Sequence, residues 1–191
     1  MTAARAGQAQ DDALGAVMFR PLCHFRPFVM DVAGPGDDAR VYKVRIAFAT
    51  SHCFTRKRAP EDRPDVFVDA LGDARSFCPE RYERSKNIQE VFVWASAGRV
   101  FFSDEHRARE RRFLVVKSET GCDPLVIPFE AEPARMKGVD VVLHVVSAYP
   151  APHDPRLSQK VYFPTLIAKT ARGEIVQRPN PHGRRGRGGR R

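Results

Sequence analysis

Short apolar runs with strand periodicity recur between residues 41 and 149, so a β-sheet must form the body of this fold. In residues 41–49 apolar side chains occupy every second position, which is typical of a strand with one buried face. Residues 111–118 and 124–130 are two further β-rich runs joined by a short glycine-containing segment, as in a hairpin. Residues 139–149 are apolar on both faces until near their end, which favours a central strand. Together these runs predict a largely antiparallel sheet.

One segment has helical rather than strand periodicity. In residues 79–98 apolar side chains recur at intervals of three and four, a proline occupies the first turn, and Gly98 is a typical stop. A strand over residues 91–94 is the competing interpretation. Residues 160–170 are predicted to form one more strand, placed at an edge by Pro164. A helix packed on the sheet makes the predicted fold class α+β.

The 191 residues are enough for one domain with a buried core. We expect a flexible leader at 1–18, a single α+β domain at 19–172 and a disordered basic tail at 173–191. Residues 172–191 hold seven arginines against one glutamate, a net +6 of the total +9. Tails rich in arginine and glycine bind RNA by charge and stacking, so RNA or another nucleic acid is the predicted partner. The cations predicted to bind it are Lys57, Arg58, Arg184, Arg185, Arg187 and Arg190.

The four cysteines are widely spaced and form no CxxC pair, which argues against a zinc ribbon or a disulfide scaffold. The N-terminus lacks a secretory pattern, and no apolar run reaches the roughly 18 residues of a membrane helix. We therefore expect a cytoplasmic protein with free cysteines and no membrane partner. The dipeptides Cys23-His24 and His52-Cys53 are a candidate zinc site, but neighbours on a strand point to opposite faces. No metal or other cofactor is predicted.

The sequence SHCFTRKR, residues 51–58, places one histidine, two hydroxyls and three cations directly after a predicted strand. Loops that follow strands often carry catalytic groups. His52 is a candidate general base, since its ordinary pKa lies near neutral pH. Thr55 can orient a phosphate, and Arg56 can hold one through two hydrogen bonds. The alternative is a solvated basic loop in which the histidine caps a turn.

A second candidate is SAYP, residues 147–150, at the end of the predicted central strand. Ser147 and Tyr149 share a face there and are predicted to continue the row of Leu143 and Val145. This pair of hydroxyls either lines a site or packs at the rim of the core. His144, on the opposite face, is predicted to be a hydrogen-bonded core histidine.

A third candidate is ERYERSK, residues 80–86, at the start of the predicted helix. Tyr82, Ser85 and Lys86 can share one face of that helix, with Arg81 and Arg84 pointing elsewhere. An exposed amphipathic helix start also explains this pattern.

The blocks SHCFTR (51–56), FCPERYERSKNI (77–88) and VVSAYP (145–150) resemble a family of small bacterial proteins. That family is found in prophages and mobile islands, and its members are sometimes labelled as heat-shock or stationary-phase proteins. The resemblance covers most of residues 25–170. The order of elements is more distantly similar to the barnase, EndoU, colicin and RelE group of metal-independent ribonucleases, which place their chemistry on the face of an antiparallel sheet.

This similarity implies that the chain is a metal-independent endoribonuclease, acting as a toxin or phage-defence effector. His52 would be the general base, and Arg56 and Arg45 would stabilise the charged phosphorane. Thr55, Ser147 and Tyr149 would position the scissile phosphate. A toxic enzyme would in turn need a neutralising partner protein. The alternative function is a non-catalytic module that binds nucleic acid or protein as a subunit or regulator of a larger complex.

Overall fold

The computed structural model of the protein describes residues 22–37, 40–48, 51–62, 67–69, 72–102, 112–117, 123–151 and 159–177. The strands in these ranges are β1 (Phe28–Ala33), β2 (Val41–Phe48), β3 (Thr55–Lys57), β4 (Phe67–Val68), β5 (Ala74–Phe77), β6 (Arg99–Phe102), β7 (Arg112–Lys117), β8 (Leu125–Pro133), β9 (Val141–Val145), β10 (Tyr149–Pro150) and β11 (Lys160–Tyr162). The α-helices are α1 (Pro79–Ser85), α2 (Ile88–Ala95) and α3 (Phe163–Ala171). The predicted leader at 1–18 and the arginine-rich residues from 178 onward lie outside the described ranges.

Eight strands form the main sheet, in the order β1-β2-β9-β8-β7-β6-β11, with β10 also paired to β8. Neighbouring strands are antiparallel except β2 and β9, which run parallel with Ile46 opposite Leu143. A second sheet has three antiparallel strands in the order β3-β5-β4. The α+β class and the largely antiparallel sheet are therefore confirmed, and so is the hairpin of β7 and β8. None of the helices in the described ranges has the length and apolar character that a bilayer span requires.

The parallel pair β2 and β9 decides where the candidate site can lie. Asp140 joins the two strands at their amino ends, where it accepts hydrogen bonds from the Lys43 amide at 2.8 Å and the Arg40 guanidinium at 2.7 Å. The carboxyl ends of β2 and β9 lie side by side at the opposite edge. From there the chain continues into residues 51–55 and 146–149, which carry two of the predicted candidate segments.

The central strand ends earlier than predicted. Strand β9 pairs with β8 only as far as Val145. The chain pairs with β8 again at β10, where Tyr149 lies opposite Val126. Because Val126 faces away from Ile127 and the core, Tyr149 does not continue the row of Leu143 and Val145 as predicted. The interruption at residues 146–148 moves it to the outer face.

The core lies between the main sheet and the helices α2 and α3. Its largest fully buried aromatic side chains, at least one from each layer, are Tyr42, Phe92, Phe113, Phe129 and Phe163. His144 is not among them. Strand alternation places it on the outer face, where its side chain is 34% exposed and its Nε2 lies 2.9 Å from Glu132 Oε1, so the prediction of a core histidine is wrong.

The strand predicted for residues 160–170 is wrong for most of its length. Only Lys160–Tyr162 is extended, and Phe163–Ala171 is helix α3. Phe163, Leu166, Ile167 and Thr170 are all buried, and their intervals of three, one and three place them on one helical face. Pro164 sits in the first helical turn, where its missing N–H costs nothing. In the sequence alone, the same proline is also compatible with an edge strand.

The helix predicted for residues 79–98 is confirmed in type, and the competing strand at 91–94 is excluded. It is divided into two helices, because at Lys86 and Asn87 the amides bond carbonyls three residues back, at 3.3 and 3.2 Å. The Val91 amide then donates a hydrogen bond to the Asn87 carbonyl at 3.0 Å, and this is the first hydrogen bond of α2. The break lets α2 pack on β7 while α1 contacts β10 and the 51–53 turn.

Candidate functional site

Seven side chains converge at the carboxyl ends of β2 and β9, between the three-stranded sheet and α1. They come from five separate stretches of the chain, and we refer to them as the His52 cluster. Its members are His52, Thr55, Asp69, Arg75, Arg81, Ser147 and Tyr149.

The centre of the His52 cluster is a histidine–carboxylate pair. His52 Nε2 lies 3.0 Å from Asp69 Oδ2, with the histidine side chain 24% exposed and the carboxylate only 5% exposed. Asp69 Oδ1 accepts a second hydrogen bond, from the Asp73 amide at 3.0 Å. An ionised carboxylate can only accept, so the proton of neutral His52 lies on Nε2 and Nδ1 is the basic nitrogen. In this tautomer Nδ1 carries the lone pair that can accept a proton.

A tight turn holds the carboxylate of this pair in place. The Gly72 amide donates to the Asp69 carbonyl at 3.0 Å, and the Asp69 amide donates to the Asp73 carbonyl at 3.1 Å. Gly72 has a φ of 85°, a left-handed conformation that favours glycine. The segment Asp69-x-x-Gly72-Asp73 therefore positions the partner of His52 by backbone geometry.

Arg75 is the first of two guanidinium groups beside the pair. Its Nη1 lies 3.6 Å from Asp69 Oδ2, and its Nε donates to Thr55 Oγ1 at 2.9 Å. Burial, followed by the charge of Arg81, lowers the pKa of Arg75 from its ordinary value. Because the ordinary pKa of arginine is so high, the group still carries its charge at neutral pH.

Arg81, the second guanidinium, connects α1 to the rest of the cluster. Its Nη1 donates to the Thr55 carbonyl at 2.9 Å and to the His52 carbonyl at 3.3 Å. Its Cζ lies 5.5 Å from the centre of the Tyr149 ring, within cation–π distance. Ser147 Oγ donates to the same His52 carbonyl at 3.3 Å. Helix α1 and the end of β9 thus hold the backbone that presents His52.

The helix start that carries Arg81 is less exposed than its sequence suggested. Tyr82 and Ser85 are both buried. Ser85 Oγ donates to the Tyr82 carbonyl at 2.6 Å and lies 3.0 Å from His24 Nε2. The face of α1 that carries them packs inward, whereas Lys86 stays at the surface and pairs with Glu83.

The structure brings together four of the predicted catalytic residues, namely His52, Thr55, Ser147 and Tyr149. Arg56 turns to the other face of the three-stranded sheet, where it pairs with Asp62, because neighbours on β3 alternate between faces. Arg45 lies on the outer face of β2, where its Nη1 is 3.4 Å from Met136 Sδ. Because Met136 follows β8 at the amino end of β9, Arg45 extends away from the cluster.

The remaining predicted residues are the cations expected to bind nucleic acid. Lys57 and Arg58 are exposed and line an open pocket at the end of the three-stranded sheet. Arg184, Arg185, Arg187 and Arg190 lie outside the described residues.

Asp69, Arg75 and Arg81 are cluster members that sequence reasoning did not single out. For Asp69 a local signal existed, since an aspartate followed by Gly-Asp at the third and fourth positions is typical of a tight turn. No local pattern marks Arg75 or Arg81, because the Thr55 atoms to which they donate hydrogen bonds lie 20 or more residues away in the chain.

Cys53 adjoins His52 but is unsuited to act as a nucleophile. Its side chain is fully buried, and burial raises the pKa of its thiol to about 12, against a smaller opposing effect from the charge of Arg81. A neutral thiol is a poor nucleophile. In the described part of the chain, no three His, Cys, Asp or Glu side chains gather as metal ligands.

The raised pKa of Cys53 predicts a specific loss of stability at high pH. The folded protein binds the thiol proton more tightly than the unfolded chain does, so stability is fully present below the ordinary pKa of 9.0 and falls as pH rises toward 12. Relative to Cys53→Ala, the wild type is expected to lose up to about 1.4 kcal/mol of unfolding free energy per pH unit in that range. Urea unfolding at about pH 7 and about pH 10.5 measures this difference.

Iodoacetamide labelling read out by mass spectrometry provides the control for that measurement. In the native protein at neutral pH, Cys53 should remain unmodified while the partly exposed Cys78 reacts. Labelling of Cys53 at the rate of Cys78 would show that the thiol is accessible and would contradict the pH prediction.

The sequence model of the YjaZ family matches residues 19–171. This chain belongs to the YjaZ family. The match includes every described helix and strand, and therefore the whole His52 cluster, so the prediction of family membership over most of residues 25–170 is confirmed. No curated protein and no solved structure matches the chain.

Proposed function

We propose that this YjaZ-family protein is a metal-independent endoribonuclease, and that the His52 cluster is its active site. A toxin or phage-defence effector encoded on mobile DNA, with a neutralising partner protein, is the biological role that fits this activity. The observation that carries the proposal is the pair of His52 with the buried Asp69 carboxylate, flanked by the guanidinium groups of Arg75 and Arg81. Cleavage of RNA through its own 2′-hydroxyl uses a base to take the hydroxyl proton and a cation to stabilise the charged phosphorane, and the His52 cluster contains groups of both kinds.

In the proposed reaction His52 Nδ1 removes the proton from a ribose 2′-hydroxyl. The 2′-oxygen attacks the neighbouring phosphorus, the bond from phosphorus to the 5′-oxygen breaks, and the leaving oxygen takes a proton from solvent. The products are a 2′,3′-cyclic phosphate and a 5′-hydroxyl. Asp69 stabilises the imidazolium that forms, because its charge is buried beside the ring.

The arginines and hydroxyls have separate roles in this proposal. Arg75 and Arg81 take the role first assigned to Arg45 and Arg56, which is to stabilise the added negative charge of the phosphorane. The hydroxyl hydrogens of Thr55 and Ser147 point to the Ser51 and His52 carbonyls, so these two are positioning residues that fix the 51–55 segment.

The test is incubation of the purified full-length protein with single-stranded RNA in the presence of EDTA. We expect cleavage that continues in EDTA and fragments that end in 2′,3′-cyclic phosphate. Expression in cells should arrest growth and fragment total RNA. Loss of activity in EDTA with recovery on adding Mg²⁺ would overturn the metal-independent mechanism, and intact RNA in both conditions would overturn the activity itself.

A second candidate function is a non-catalytic nucleic-acid-binding module within a larger complex. The observation that favours it is the exposure of Lys57 and Arg58 around an open pocket, together with the net charge of +9. This function gives salt-sensitive RNA binding without RNA cleavage, and the binding is unchanged in His52→Ala.

A further inference from the structure

The pocket at the end of the three-stranded sheet lies close to the His52 cluster. It has a volume of about 460 Å³ and is open to solvent. The residues that line it are Lys57, Arg58, Ala59, Pro60, Asp73 and Ala74. Two of these six carry positive charge and one carries negative charge, so the lining favours an anion.

Strand register connects the pocket to the catalytic groups. Lys57 on β3 lies directly opposite Arg75 on β5, so their side chains project from the same face of the small sheet. Thr55 shares that face and accepts a hydrogen bond from Arg75. Lys57, Arg75 and Arg81 therefore form a row of cations that leads from the pocket to the backbone of His52.

The turn that holds Asp69 also forms one wall of the pocket. Asp73 lines the pocket, and its amide donates to Asp69 Oδ1. A ligand in the pocket would therefore contact the same short turn that positions the partner of His52.

On the face of the small sheet that carries Lys57 and Thr55, positive charges outnumber negative charges. Among the described side chains, the four cations Lys57, Arg58, Arg75 and Arg81 adjoin the two carboxylates of Asp69 and Asp73. Asp62 does not correct the excess, because it lies on the opposite face of the small sheet, where it pairs with Arg56 and accepts from the Ala59 amide. The excess positive charge on this face can be neutralised by a bound anion.

We propose that the pocket binds a phosphate group of the RNA strand, neighbouring the phosphate cleaved at His52. The inference rests on the proposed ribonuclease function for the identity of the strand. Lys57 supplies a point charge and Arg58 two parallel donors, the two usual ways in which proteins hold a phosphate oxygen. Such a contact sets position and direction along the strand without reading its bases. It contributes to binding of substrate rather than to the bond changes.

The test compares two double variants of the full-length protein. Lys57→Ala/Arg58→Ala removes the pocket cations, and Arg135→Ala/Lys137→Ala removes two exposed cations from the loop before β9, at the opposite edge of the sheet. The probe is a single-stranded 2′-O-methyl RNA of about 12 nucleotides, which lacks the attacking hydroxyl and cannot be cleaved. Its affinity is measured between about 0.05 and 0.3 M salt.

The pocket variant is expected to bind the probe about tenfold more weakly at low salt, with the slope of log K against log salt reduced by about 1.4. The control variant should keep the wild-type slope, and Lys57→Arg/Arg58→Lys should restore it. An equal loss in both double variants, or wild-type binding in the pocket variant, would overturn the proposal. Because the probe reports binding alone, absence of RNA cleavage by the wild type would refute the ribonuclease function separately.

Discussion

His52→Ala is expected to slow RNA cleavage by roughly 10²- to 10⁴-fold, the usual contribution of a general base. The alanine variant loses the basic Nδ1 and leaves the buried Asp69 charge without its imidazole partner. Binding of the 2′-O-methyl RNA probe should change little, since the phosphate-binding cations are untouched. The measurement is the single-turnover rate on an RNA with one cleavable site, at saturating protein and in EDTA.

His144→Ala is the matched control for this variant. His144 also places its Nε2 beside a carboxylate, 2.9 Å from Glu132 Oε1, but on the outer face of the main sheet and among different neighbours. Its removal should leave the cleavage rate within about twofold of the wild type, as for an exposed side chain outside the site. Equal cleavage rates for His52→Ala and the wild type would remove His52 from the chemistry, whereas absence of cleavage by both proteins would leave the binding module as the better function.

The strands could be predicted where one face of the sheet is buried, and the errors arose where a local pattern had two meanings. In β2 the alternation of Tyr42, Val44 and Ile46 with polar residues has only one explanation, because a helix would scatter those side chains around its axis. In residues 160–170 the apolar side chains fit both periods, and Pro164 is compatible with a strand edge and with a helix start. Packing of Leu166 and Ile167 against the main sheet decides for the helix.

The candidate site could be predicted only in its local part. His52 and Thr55 follow a strand within one short segment, and this position already indicated a functional loop. Strand register and the placement of α1 bring Asp69, Arg75 and Arg81 to His52 or Thr55. Neither the register nor the placement of α1 can be derived from the amino-acid sequence alone. Arg45 was predicted to belong to the site but lies away from it. Strand alternation places it on the outer face of β2, and its partner Met136 lies at the amino end of β9.

Phe129→Ala is expected to lower the free energy of unfolding by about 3–5 kcal/mol, because it opens a cavity at the centre of the core. The Phe129 side chain is fully buried, and its ring centre lies 5.6 Å from Phe92 of α2, 5.7 Å from Phe113 of β7 and 6.4 Å from Phe163 of α3. The Phe129 ring on β8 therefore packs against both α2 and α3. Urea unfolding followed by far-UV circular dichroism measures the change.

Trp94→Ala and Phe129→Leu make this prediction specific to the buried ring. Trp94 lies on α2, two residues after Phe92, but its side chain is 57% exposed, so its removal should change stability by no more than about 0.5 kcal/mol. Phe129→Leu retains most of the buried volume and should cost only about 1–1.5 kcal/mol. If Phe129→Ala were as stable as Trp94→Ala, the packing of α2 and α3 against β8 would be refuted. The carboxyl ends of β2 and β9 would then lose the framework that presents His52.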